Sequence, residues 1–211
     1  MPGTLMPHEI LTELAGVAHD IVDEVASAPD SAFGYGFDLG HRAGPAAYNV
    51  EHSIDATVIG LLVGRRLVPD DALEDLGLGL FLQDIGKLAL PPRLVHKEGP
   101  LAPDEWELMM RHPLLGLEFL RDDTIPARAK SVVRSHHERW DGSGYPGALV
   151  GQEISEFARI AAVADVYDAL TSERYHAPAV SPHEGLATIL AGSGTAFDPK
   201  VVETFLVAAG V

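Results

Sequence analysis

An all-α fold, a single-domain helical bundle, is predicted by three observations: apolar residues recur at three- and four-residue steps along most of the chain, strand signals are few, and glycine and proline cluster between the periodic runs. With 211 residues and 46% apolar content, the chain can bury one good core. Ile10, Leu11, Leu14, Val17, Ile21, Val22 and Val25 mark an amphipathic helix over about residues 7–27, ending near Pro29. The Gly-rich stretch from Phe33 to Pro45 reads as a loop, and a second helix is expected over 46–67. After a turn at Pro69-Asp70-Asp71, leucines and Phe81 cover most of the circumference of residues 72–88, the pattern of a helix buried in mid-bundle. Pro91-Pro92 is expected to stop it. Further helices are predicted near 103–111, 113–121 and 126–138, with Pro113 in a first turn where a missing amide proton costs nothing. The glycine-dense stretch from Trp140 to Ser155 is a loop, and Ser155 is placed to cap a helix over 156–171. Two shorter helices, near 182–191 and 199–208, close the domain.

The charge balance, 31 acidic against 15 basic residues and net -16, opposes binding to duplex nucleic acid or an anionic membrane, which both need positive charge against phosphate. A phosphorylated ligand would need local help from metal ions or a few placed cations. Cysteine is absent, which excludes disulfides and thiolate ligands, leaves histidine and carboxylate as the metal-binding chemistry, and points to a cytoplasmic location. No apolar run approaches the roughly 20 residues of a membrane-spanning helix. Met1-Pro2-Gly3-Thr4-Leu5 lacks the basic start and apolar block of a signal peptide. Residues 1–45, too short for a separate sensory domain, are expected to pack their apolar stripe on residues 46–211 or to pair two chains as a homodimer.

Within the expected central helix, Asp84 and Lys87 are three apart and Gln83 and Lys87 four apart, so all three side chains can turn toward one spot. Asp84 could bridge two divalent ions while Lys87 offers a cation to a phosphate oxygen. Spacing alone equally fits a solvated face with an ordinary Asp-Lys pair. His52, His112, His136, His137 and Asp165 shift that balance, because neutral imidazoles with carboxylates suit iron, manganese or zinc. The adjacent pair His136-His137 differs by about 100° around a helix, yet near a helix end both rings can reach one cavity. Adjacent histidines also arise by chance.

The string His136-His137-Glu138-Arg139-Trp140-Asp141-Gly142-Ser143-Gly144-Tyr145-Pro146 resembles the signature of the HD-GYP domain, a branch of the HD metal-dependent phosphohydrolases. Asp84-Ile85-Gly86-Lys87, Gly99-Pro100-Leu101, His112-Pro113 with Gly116, the run from Ala164 to Thr171, and Phe197-Asp198-Pro199 follow the same pattern in order, over about residues 46–206. The resemblance implies an α-helical domain with a two- or three-metal centre, of a kind that hydrolyses cyclic di-GMP to pGpG or onward to GMP as an output of bacterial signalling. It implies His52, Asp84, His112, His136, His137 and Asp165 as metal ligands, with Asp84 bridging. It also implies Lys87 near the scissile phosphate, Arg174 near ligand phosphate, and Tyr145 shaping the loop and ligand pocket.

Three positions depart from that pattern. Gln83 replaces the histidine of the paired His-Asp, and an amide oxygen is a poorer donor to a transition metal than imidazole nitrogen. Tyr48 stands where members with a third ion have glutamate, with Glu51 the only nearby carboxylate before His52. Ser155 stands in place of a proline. One or two ions per chain, iron or manganese with zinc as the alternative, are therefore expected. His19-Asp20 repeats the missing dipeptide, but Ile21 and Val22 continue an apolar helix face and no Gly-Lys follows, so it is rejected as a replacement. Two functions remain: a metal-dependent cyclic di-GMP phosphodiesterase, with Asp84 and Lys87 in the catalytic roles, or a degenerate module that binds a cyclic dinucleotide or a protein partner without turnover.

Overall fold

The structure is a computed structural model that describes residues 6–28, 48–121, 124–173 and 178–211. Its α-helices are α1 (His8–Ser27), α2 (Tyr48–Gly64), α3 (Leu73–Leu82), α4 (Pro92–Val95), α5 (Pro103–Met109), α6 (His112–Phe119), α7 (Ala127–Ser135), α8 (Glu156–Thr171), α9 (Pro182–Ala191) and α10 (Pro199–Ala208). Three 3-10 turns, Asp70–Ala72, Ile85–Ala89 and Gly151–Glu153, complete the regular structure of the described residues. These residues contain no β-strand, only the isolated bridges Asp141 to Val150 and Ser193 to Phe197. The fold class is all-α, as the periodicity predicts.

Two helices buried on nearly every side organise the bundle. α3 packs against α2, α7 and α1, and α8 packs against α2, α7, α9 and α10. The contact between α2 and α3 is close because Gly60 and Gly64, one turn apart, leave gaps that Leu80 and Leu76 fill. A methyl built on either glycine would come within 2.5 Å of the facing leucine. Leu76 and Leu80 are both fully buried, and burial of each stabilises the fold by about 1.5–3 kcal/mol. One core gathers α2, α8, α10 and the buried side of α3 around Ile59, Leu61, Tyr167 and Phe205. A second lies between α1, α3 and α7 around Leu11, Leu82, Leu120 and Val133. α1 thus spends its buried stripe, Leu11, Ala18 and Val25, on the domain itself.

Several boundaries are as expected: α1, α8, α9 and α10 match their periodic runs, and Ser155 Oγ accepts from the Ala158 amide as the cap of α8. The expected helix over 72–88 is not continuous. α3 stops at Leu82, the chain turns at Gln83-Asp84, and Ile85–Ala89 winds as a 3-10 turn. This turn sets Gly86 so close to the start of α6 that a methyl there would sit 1.9 Å from the His112 carbonyl oxygen, an approach that glycine allows because it has no side chain. Pro92 opens α4 at a position where proline is tolerated, after the preceding turn has already ended at Ala89. α7 also ends earlier than expected, at Ser135, so His136 is its C-terminal cap and His137 lies in the following turn.

Candidate metal centre

Four elements bring the histidines and carboxylates together. α2 carries His52, the turn after α3 carries Gln83 and Asp84, and α6 opens on His112. The end of α7 supplies His136 and His137, and α8 supplies Asp165 and Asp168. Asp84 is the hub, and its two oxygens divide the site. Oδ1 lies 3.3 Å from His112 Nε2 and 3.8 Å from His136 Nε2. Oδ2 lies 2.6 Å from Lys87 Nζ and 3.6 Å from His52 Nε2.

Hydrogen bonding fixes which ring nitrogens face inward. His112 Nδ1 donates to the Met109 carbonyl at 2.9 Å, and His136 Nδ1 donates to the Val132 carbonyl at 3.1 Å. A neutral imidazole with Nδ1 protonated carries its lone pair on Nε2. The two Nε2 atoms stand 3.3 Å apart with Asp84 Oδ1 beside them, so three atoms able to ligate a metal converge. Donors about 2.1 Å from one ion at tetrahedral angles lie about 3.4 Å apart, close to these separations. One ligand atom each from Asp84, His112, His136 and His137 falls within 4.8 Å of the others. These residues fit a divalent cation.

Burial and the neighbouring His112 push His136 down to about 4, and burial and His136 hold His137 well below the ordinary histidine value. Both rings are therefore neutral near pH 7, the form a metal ligand needs. Burial would raise Asp84, but Lys87, His112 and His52 hold it well below the usual carboxylate range.

The opposite side of Asp84 is arranged differently. His52 Nδ1 meets Asp168 Oδ2 at 2.5 Å and its Nε2 meets Asp165 Oδ1 at 3.0 Å. Burial alone would lower His52, but its hydrogen bonds and charge attraction to Asp165 and Asp168 carry it up to about 10. Gln83 is fully buried and donates its amide nitrogen to Asp165 Oδ1 at 3.4 Å, while Oε1 has no hydrogen-bond partner. It therefore meets the carboxylate as a donor, with nitrogen rather than oxygen turned to the site.

Asp168 was not among the expected site residues. Its spacing of three from Asp165 on α8 is the signal that puts both carboxylates on one helix face. Ser172 Oγ donates to its other oxygen at 2.9 Å, so Asp168 is held on both sides and fixes the His52 ring. Glu138 was also missed. Although acidic, it is 3% exposed, and it accepts from the amides of Gly147 at 2.5 Å and Leu149 at 3.1 Å. These bonds fold the Gly144-Tyr145-Pro146 loop back onto the histidine pair, and the Tyr145 ring lies 4.8 Å from that of His137. Lys87 and Tyr145 thus sit beside the cluster, whereas Arg174 lies outside the described residues. Of Tyr48 only the backbone is described. His19 lies on the exposed side of α1, paired with Asp23 at 3.5 Å and Glu74 at 3.4 Å, and takes no part in the cluster. Among the described residues, no helix is long and apolar enough to cross a membrane.

Residues 47–201 match the family model of the HD domain. The chain is 35% identical over 196 residues to a cyclic di-GMP phosphodiesterase of Pseudomonas aeruginosa, covering 92% of this chain and 47% of that protein. It is 39% identical over 127 residues to a 3'3'-cGAMP-specific phosphodiesterase of Vibrio cholerae, covering 59% of this chain and 24% of the relative. The chain thus spans less than half the length of either relative. Among solved structures, an HDG"Y"P protein from Bdellovibrio bacteriovorus superposes with a TM-score of 0.64 at 16% identity, over 94% of this chain and 71% of that one, a likeness of fold.

Proposed function

The chain belongs to the HD domain family, whose members bind divalent metal, and from that membership we propose a metal-dependent phosphodiesterase domain acting on a cyclic dinucleotide in bacterial signalling. The observation that carries this reading is the convergence of one possible ligand atom each from Asp84, His112, His136 and His137 within 4.8 Å. Similarity to phosphodiesterases of cyclic di-GMP and of 3'3'-cGAMP supports the substrate class, and cyclic di-GMP is the proposed substrate. Iron or manganese is the proposed metal, with zinc suited to the same donors, at one ion per chain on Asp84, His112, His136 and His137. Residues 46–211 are proposed as the metal phosphohydrolase domain, with residues 1–45 proposed to pack on it or on a partner chain.

When bound, a divalent ion supplies Lewis-acid charge to a phosphoryl oxygen and acidifies a water. The chain's own residues prepare that chemistry. The Met109 and Val132 carbonyls keep His112 and His136 in the tautomer that turns Nε2 inward. Lys87, bound to Asp84 Oδ2 at 2.6 Å and partly exposed, sets a point charge beside the cluster for a phosphate oxygen. Burial and the charges of Asp165 and Asp84 push the Tyr145 phenol far up, so it remains protonated and neutral while its ring screens His137 from water. Arg174 is proposed as a second contact to ligand phosphate. The test is reconstitution of the purified chain with iron(II) or manganese(II) under anaerobic conditions. It should convert cyclic di-GMP to pGpG, and Asp84→Ala should lose the bound metal and fall to background turnover. No turnover with any of these metals would count against the enzyme reading.

A second reading, a module that binds a cyclic dinucleotide or a protein partner without cleaving the nucleotide, is favoured by one observation. Gln83 spends its amide nitrogen on Asp165, at the side of the site where a second ion would need a donor. Calorimetric binding of cyclic di-GMP without hydrolysis, in a chain shown to contain metal, would select this alternative.

A further inference from the structure

Resting on that nucleotide reading, we propose that Trp106 is the outer wall of a nucleobase subsite beside the metal cluster. α5 is seven residues long and buries none of them. It nevertheless sets the Trp106 indole edge-on to Tyr145, with ring centroids 6.1 Å apart at 80°. Tyr145 in turn lies 4.8 Å from His137 at 30°, so aromatic rings run without a break from a candidate metal ligand to the rim. A single exposed apolar side chain is ordinary on a protein surface. Trp106, at 47% exposure, differs from Leu88 or Val207 because it lines a cavity of about 400 Å³ whose wall also includes His136, His137 and Arg139.

The lining suits a nucleotide: it includes His136 and His137, two of the four candidate metal ligands, together with the Tyr145 ring and apolar side chains including Met110 and Phe197, which suit a base. Arg139 adds a cation on the wall, its Nε steadied by donation to Ser143 Oγ at 2.8 Å. Glu138, the acid in the same wall, has its oxygens engaged by the Gly147 and Leu149 amides. The volume falls at the lower end of the ~300–1,000 Å³ of ligand pockets, enough for one nucleotide unit. Stacking a base on an aromatic ring is worth about 1–3 kcal/mol.

The full chain loaded with manganese(II) is titrated calorimetrically with GMP and with ribose 5-phosphate, which carries the phosphate without the base. GMP should bind more tightly. Trp106→Ala should weaken GMP by about 5- to 150-fold and leave ribose 5-phosphate unchanged, while Trp106→Phe should keep most of the GMP affinity. Because Trp106 is half exposed and α5 has no fully buried residue, both variants should remain folded, checked by their unfolding temperatures. Equal affinities for the two probes in the wild type, or a Trp106→Ala variant that binds GMP as tightly as the wild type, would overturn the subsite. So would equal weakening of both probes. Failure to hydrolyse cyclic di-GMP would overturn the enzyme reading and leave these affinity ratios untouched.

Discussion

At Gln83 the amide nitrogen reaches Asp165 Oδ1 across 3.4 Å while Oε1 is buried and unpaired, so the side chain neither satisfies itself nor offers a good metal donor. Imidazole there would exchange a donated hydrogen bond for a nitrogen lone pair on the His52 side of Asp84. Gln83→His is therefore expected to raise bound metal from one ion per chain to two, read by elemental analysis, and to increase turnover. An unchanged metal count would place the obstacle elsewhere. Gln83 could be singled out from the sequence because a residue type was wrong for its pattern. Asp168 could not, because helical spacing puts it on the same face as Asp165 without saying which carboxylate touches the ring and which faces the cluster. The 2.5 Å contact to His52 Nδ1 decides that.

At the scale of elements, the 3-10 turn Ile85–Ala89 positions Asp84 and Lys87 against α6. Gly86 has the His112 carbonyl oxygen and the Gly116 amide nitrogen within 1.9 and 2.5 Å of any added methyl, and both are backbone atoms that no rotamer change can move aside. Gly86→Ala should destabilise the chain by about 1–3 kcal/mol or more in urea unfolding and should lower its metal content, because the shift separates Asp84 from His112. Gly16→Ala on α1, where nothing lies within 4 Å, is the control and should stabilise by about 0.5–1 kcal/mol. The break after Leu82 was not legible in the apolar pattern, since over a five-residue stretch windings of 3.0 and 3.6 residues per turn put apolar positions on nearly the same face. The bounds of α8, by contrast, were legible because a capping serine opens a long apolar run.

For the molecule as a whole, the buried charges set opposing pH limits on the metal-free chain. His52 is raised from 6.5 to about 10, so the stability it contributes is complete below pH 6.5 and is lost as pH climbs toward 10. His136 is lowered from 6.5 to about 4, so the unfolded chain binds more protons between those values and stability falls as pH drops through them. Asp84 and Asp165 are held below the ordinary carboxylate range, so their contribution is present throughout the window above pH 4. Chelator-treated protein should therefore be most stable near pH 7 and lose on the order of a few kcal/mol at pH 5 and at pH 9.5, measured by urea unfolding at each pH. His52→Gln should flatten the alkaline side. A monotonic profile in the wild type would contradict the opposed shifts of the two histidines.

Composition and periodicity alone determined an all-α domain, the extents of α1 and α8 and a histidine-carboxylate chemistry, because apolar spacing records local winding and residue type records which atoms can donate. Tertiary structure alone decided that His112 and His136 turn their Nε2 atoms toward each other, that Asp84 divides its oxygens between two sides, and that Gln83 turns nitrogen inward. Those facts depend on carbonyls and carboxylates contributed by other segments, such as Val132 for His136 and Asp168 for His52. Ring orientation is a property of contacts between elements, and no local pattern along one element encodes it.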